Sequence, residues 1–118
     1  MAEADRRRDP RAKVRLVVRY RCLDESHVLW HEGTILDISA GGIRLSCERP
    51  LEQGSRIEVD VQLPARDERL ILQGDVQWTA HRPSGSEGGV MFVDVSSERQ
   101  FDLDTLVHFL TQKRSPSS

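Results

Sequence analysis

The stretch "KVRLVVRYRC", Lys13 to Cys22, decides the fold class. Val14, Leu16, Val18, Tyr20 and Cys22 fall on one side of an extended chain, and Arg15, Arg19 and Arg21 on the other. Only Val17 breaks the alternation. A period of two with one apolar face is the mark of a half-buried β-strand. The same period recurs down the chain. "VLWHEGTILDIS" (Val28 to Ser39) is a longer, less regular strand, in which Gly33 marks a bulge or tight bend. "GIRLSC" turns Ile43, Leu45 and Cys47 inward, and "RIEVDVQL" does the same with Ile57, Val59, Val61 and Leu63. "RLILQGDVQW" alternates Leu70, Leu72, Val76 and Trp78 around Gly74, and "GGVMFVDV" is a sixth, nearly apolar run.

Turn-forming residues separate these runs at Glu52-Gln53-Gly54-Ser55, Pro64-Ala65-Arg66-Asp67 and Pro83-Ser84-Gly85. Six short strands with no helix between them predict an all-β protein, a six-stranded antiparallel sandwich or barrel. Closure into a barrel also removes the exposed edges. The period then changes. Leu103, Leu106, Val107 and Leu110 stand at helical spacing with Phe101 and Phe109 flanking them, and Ser97 with Gln100 reads as a capping box. One C-terminal α-helix, about 98–112, is expected against the barrel.

The chain has 118 residues, 37% apolar and 31% charged, which suits one small domain with a large surface relative to its core. No apolar run is long enough to span a membrane, and no apolar stretch follows the N-terminal arginines as in a secretory signal. A cytoplasmic protein is expected, with Cys22 and Cys47 as reduced core thiols. Charge is unevenly distributed. Residues 1–21 carry eight Lys or Arg against three Asp or Glu, a balance of +5; the rest is at −7. Residues 1–13 read as a flexible Arg-rich arm, 14–112 as the barrel with its helix, and 113–118 as a disordered tail. Such an arm is either a solvated tail or the docking element for an anion.

The second feature is "DISAGG", Asp37 to Gly42, at the end of the second strand. By itself it reads as a hairpin corner in which Asp and Ser bond their own backbone. Together, Arg6-Arg7-x-x-x-Arg11 followed by Asp37-x-Ser39-x-x-Gly42 resembles the PilZ domain family. "LEQGSRIEVDVQLP", "LQGDVQW" and "GGVMFVDV" resemble its later strands, so the likeness runs from about residue 6 to 110. The resemblance implies a six-stranded antiparallel barrel that binds cyclic di-GMP, a bacterial second messenger. It implies Arg7 and Arg11 as motif arginines, Arg6 and Arg8 as flanking contacts, and Asp37, Ser39, Gly41 and Gly42 at the barrel corner. Trp78 matches a tryptophan that lies beside a guanine in some members; plain core packing is its other reading.

The residue types suit that ligand. A guanidinium fork can bond guanine O6 and N7 together, clamp a phosphate or stack on a base, which an ammonium cannot. A carboxylate accepts from the N1–H and N2–H₂ edge of guanine, which adenine lacks. Glycine leaves room for a flat ligand at the backbone. Asp9 and Pro10, between the motif arginines, depart from the apolar or aromatic residues common in the family. In the family it resembles, the residue just before the first motif arginine influences whether one ligand or a stacked pair is held; with Arg6 there, the resemblance implies an intercalated pair. The arm is expected to be mobile without ligand and to fold over it, presenting a surface to an unidentified partner protein. Motility, exopolysaccharide and biofilm control are the outputs the resemblance suggests. A monomer or weak homodimer is expected.

The competing readings are a nucleic-acid-binding barrel and a PilZ domain that only docks proteins. The first needs a basic groove with exposed aromatic platforms, yet the six aromatic residues fall mostly on inward or helical positions and the barrel is acidic. Retention of both motifs argues against the second. Enzyme and metal readings find little support. His27 and His31 with Cys22 and Cys47 make no zinc spacing, and no histidine is placed to bridge Asp37 and Ser39 as a triad.

Overall fold

The computed structural model describes residues 11–24, 29–63 and 67–114. Six strands follow one another: β1 (Arg11–Cys22), β2 (His31–Ser39), β3 (Gly42–Cys47), β4 (Arg56–Gln62), β5 (Arg69–Arg82) and β6 (Gly85–Val93). They form a closed antiparallel barrel in the order β1-β2-β3-β6-β5-β4, sealed by the pairing of β1 with β4. One helix, α1 (Ser97–Arg114), packs on β1, β2 and β5. The six-stranded barrel with a C-terminal helix is the architecture expected from the period of two.

The alternating apolar residues fill the interior as their spacing requires. Val18, Tyr20, Ile35, Ile43, Leu45, Ile57, Val59, Val61, Leu72 and Val76 are buried. Leu103, Leu106 and Val107 of α1 are buried with them, and Leu110 packs alongside. Val17, the residue that broke the alternation, is exposed.

Three local readings change. Strand β1 starts at Arg11, not Val14, because Ala12 is small enough to be buried opposite Ile38. Arg11 is therefore the first residue of the barrel, not the end of an arm. The helix is capped by Ser96 rather than Ser97: its hydroxyl accepts the Arg99 N–H at 3.2 Å and its carbonyl the Gln100 N–H at 2.8 Å. The Gln100 side chain instead reaches the Ala40 carbonyl at 3.5 Å and Asp104 at 3.0 Å. Phe101 stands on the outer side of α1, with two thirds of its surface exposed.

Trp78 shows how a barrel places a side chain that alternation misplaces. Val76 pairs with Val90, but the next pair is Trp78 with Gly89, so Gln77 is an extra residue on β5. This β-bulge turns Trp78 from the interior to the outer surface, where it is 43% exposed. It lies over Gly89, so closely that a Cβ there would sit 2.0 Å from the indole Nε1. A similar shift between β2 and β3 makes Leu36 the extra residue. It keeps both Ile35 and Ile38 inside while Asp37 pairs with Arg44 on the outer row.

Candidate functional site

A cleft lies on the outer face of the barrel beside these two bulges. Across β3, β6 and β5 it is walled by Arg44, Met91 and Trp78, with Ser39, Gly41 and Gly42 at the corner and Arg11 at its edge. Its volume is about 320 Å³, within the range of small-molecule sites. One wall is apolar: Trp78 is 43% and Met91 50% exposed. The other end is polar. A flat heteroaromatic group laid on Trp78 would direct its polar edge toward β2.

At that polar end Asp37 is clamped between two guanidinium groups. Arg11 Nη1 donates to Oδ1 at 2.9 Å, and Arg44 Nε donates to Oδ2 at 2.9 Å. Arg44 Nη1 also donates to Glu87 Oε1 at 3.1 Å, and Glu87 accepts from Arg82 Nε at 3.3 Å. The outer row thus runs cation, anion, cation, anion, cation. The Arg44 proton is held more tightly than usual, first by the bond to Asp37 and then by Glu87, against the opposing effect of burial. Glu87 is held below the ordinary carboxylate range, first by Arg82 and also by Arg44.

Asp37 does not line the cleft. It sits behind Arg11 and Arg44, and its side chain is 8% exposed. Direct reading of a guanine edge by Asp37 therefore requires a guanidinium to move. Ser39 is buried and its hydroxyl is loosely engaged: it donates to the Gly42 carbonyl at 3.4 Å and accepts from the Gly41 N–H at 3.3 Å. Both bonds are long for a hydroxyl.

The two glycines of the corner differ. Neither has a positive φ, so neither serves as a left-handed turn residue. A Cβ on Gly42 would sit 2.2 Å from the Val90 carbonyl oxygen, so Gly42 is required by the close approach of β6. A Cβ on Gly41 would meet nothing within 4 Å. The Gly41 carbonyl accepts the Phe92 N–H at 2.9 Å, which pins the corner to β6.

Of the residues expected at the site, Arg11, Ser39, Gly41, Gly42 and Trp78 line one cleft, and Asp37 lies directly behind it. Arg6, Arg7 and Arg8 fall outside the described residues. Arg44, Gln77, Gly89 and Met91 line the cleft without having been expected there. Arg44 was legible as an outward residue two positions after Gly42; its partnership with Asp37 depends on the bulge at Leu36. Among the described residues no group of three or more His, Cys, Asp or Glu is gathered as a metal would need. No helix among them is long and apolar enough to cross a membrane.

The barrel is similar to solved PilZ structures. The PilZ domain of YcgR from Escherichia coli, solved with c-di-GMP, superposes with a TM-score of 0.71 at 17% identity, covering 92% of this chain and 93% of that one. The PilZ domain of CeSA from a cellulose-synthesizing bacterium gives 0.63 at 19% identity, with 86% and 97% covered. The inhibitor of motility MotI/DgrA from Bacillus subtilis gives 0.71 at 14% identity, with 92% of this chain covered; this chain spans about half of that one, 53%. At these identities the likeness is one of fold. No curated protein matches the sequence. The PilZ domain model matches residues 5–112, which takes in Arg7, Arg11, the Asp37–Gly42 corner and most of the helix; the chain belongs to the PilZ domain family.

Proposed function

We propose that the protein is a cyclic di-GMP receptor whose ligand lies in the cleft of Arg11, Ser39, Gly41, Gly42 and Trp78. The observation that carries this reading is the pairing of opposites in one cleft. An aromatic wall for a base lies across from a guanidinium and a loosely bonded hydroxyl, with the Asp37 carboxylate held directly behind that guanidinium. Family membership and the c-di-GMP bound by the neighbour YcgR support the choice of nucleotide.

Each group has a role that follows from its chemistry. Trp78 and Met91 supply the stacking surface. Arg11 leaves Asp37 Oδ1 and clamps a phosphate or a guanine Hoogsteen edge. Asp37 Oδ1 then accepts from guanine N1–H and N2–H₂, and Ser39 bonds phosphate or base. Arg7, with Arg6 and Arg8, closes over the ligand from the opposite side. The segment before β1 orders as it does so, and the covered surface is read by a partner protein. Two guanines stacked as an intercalated pair would place the second base against Arg6.

Calorimetry with cyclic di-GMP and cyclic di-AMP tests this reading. The parent chain should bind cyclic di-GMP saturably, with two ligands per chain for an intercalated pair. Arg7→Ala and Asp37→Ala should each weaken it by about 10- to 100-fold. Cyclic di-AMP, which offers no matching donor pair to Asp37 Oδ1, should bind at least about tenfold more weakly. Equal affinity for the two nucleotides, or no binding of either, would refute it.

A further inference from the structure

The outer-face row holds three guanidinium groups, Arg11, Arg44 and Arg82, against two carboxylates, Asp37 and Glu87. One cation is surplus. The geometry distinguishes which. Arg44 is fixed at two points, by Asp37 Oδ2 through Nε and by Glu87 Oε1 through Nη1, and its side chain is one third exposed. It lies mid-barrel on β3. Arg11 holds Asp37 through one nitrogen, its side chain is 60% exposed, and it is the first residue of β1.

Asp37 is a nearly buried carboxylate, and such a group strongly resists losing its last cation. With Arg44 in place, Arg11 can depart and the set Asp37, Arg44, Glu87 and Arg82 stays neutral. Without Arg44, Arg11 would be the one guanidinium among the described residues still bonded to Asp37, and would be tied to it. We propose that Arg44 is the fixed counter-ion of Asp37, a positioning residue that frees Arg11 to exchange from Asp37 to the ligand. This rests on the cyclic di-GMP reading for its ligand, but the exchange itself is a property of the ligand-free protein.

A double-mutant cycle separates this role from direct contact. Arg44→Gln should weaken cyclic di-GMP binding by about tenfold in the parent chain and by less than about threefold in an Arg11→Gln background, because no Arg11 remains to be tied down. Equal losses in both backgrounds would mean that Arg44 touches ligand itself or only supports the fold, and would overturn the proposal. Arg44→Lys, which keeps the charge and is the safer variant for folding, should recover part of the loss; Lys as poor as Gln in a folded protein would also overturn it.

A second measurement needs no ligand. Side-chain ¹⁵N relaxation of the arginine Nε–H groups should show Arg44 rigid and Arg11 mobile, with Arg11 becoming rigid in Arg44→Gln. An Arg11 as rigid as Arg44 in the parent, or unchanged in the variant, would contradict the exchange. Should cyclic di-GMP not bind the parent chain, the functional reading falls, and this relaxation result alone decides the counter-ion assignment.

Discussion

Gly41 and Gly42 are adjacent and chemically identical, yet the barrel treats them oppositely. Gly42→Ala drives a methyl into the Val90 carbonyl, an atom of the barrel backbone that cannot step aside. We expect a loss of about 1–3 kcal/mol in chemical denaturation. Gly41→Ala meets open space and should leave the denaturation midpoint unchanged while weakening any flat ligand laid on the corner. At this scale the sequence was a partial guide. Asp37, Ser39 and the glycines were legible because the motif packs them within six residues. The reason for Gly42 was not, since the atom it avoids lies on β6, 48 residues away in the chain. Arg44 was missed for a similar reason: Asp37 and Arg44 meet only through the register of β2 on β3.

Among the elements, β5 carries the departure from simple alternation that relocates Trp78. Leu70, Leu72 and Val76 point inward on a strict period of two, and the same period puts Trp78 in the core. A bulge is a mismatch between two strands, and one strand alone does not announce it. Deleting Gln77 should restore unbroken pairing and turn Trp78 inward. In a Trp30→Phe background the indole should become less accessible to a soluble quencher, and the overfilled core should cost about 1–3 kcal/mol. Unchanged quenching would show that β6, not Gln77, sets the position of Trp78. The strand cores and the apolar stripe of α1 were legible throughout, because burial on one face imposes its period directly. The start of β1 was not. Ala12 lies between Arg11 and Lys13, so its single inward position carries no visible pattern.

Over the whole molecule, a closed barrel with α1 against it stands on one apolar interior and a charged outer surface. Leu103 is fully buried where α1 meets that interior, and Leu103→Ala should cost about 2–5 kcal/mol. The outer surface sets the response to acid. Burial pushes Asp60 up, but its bonds from Arg69 at 2.7 Å and Arg19 at 3.0 Å outweigh this, so its folded value lies below the ordinary one. Glu87 is shifted the same way. Both carboxylates bind a proton more readily when unfolded, so their contribution to stability is complete above the ordinary carboxylate range. It is lost as pH falls through that range toward the folded values. Thermal melts should show stability declining with acid over that interval, and the decline should be shallower in Asp60→Asn.

By our proposal, cyclic di-GMP occupies the cleft between the Asp37–Gly42 corner and Trp78. Titration of the ¹⁵N-labelled chain with cyclic di-GMP tests it most directly. Saturable shifts at the Gly41, Gly42 and Gly89 amides and the Trp78 indole, with Cys22 and His31 at the other end of the barrel unmoved, are predicted. Shifts centred on Cys22 and His31, or none at any concentration, would contradict it.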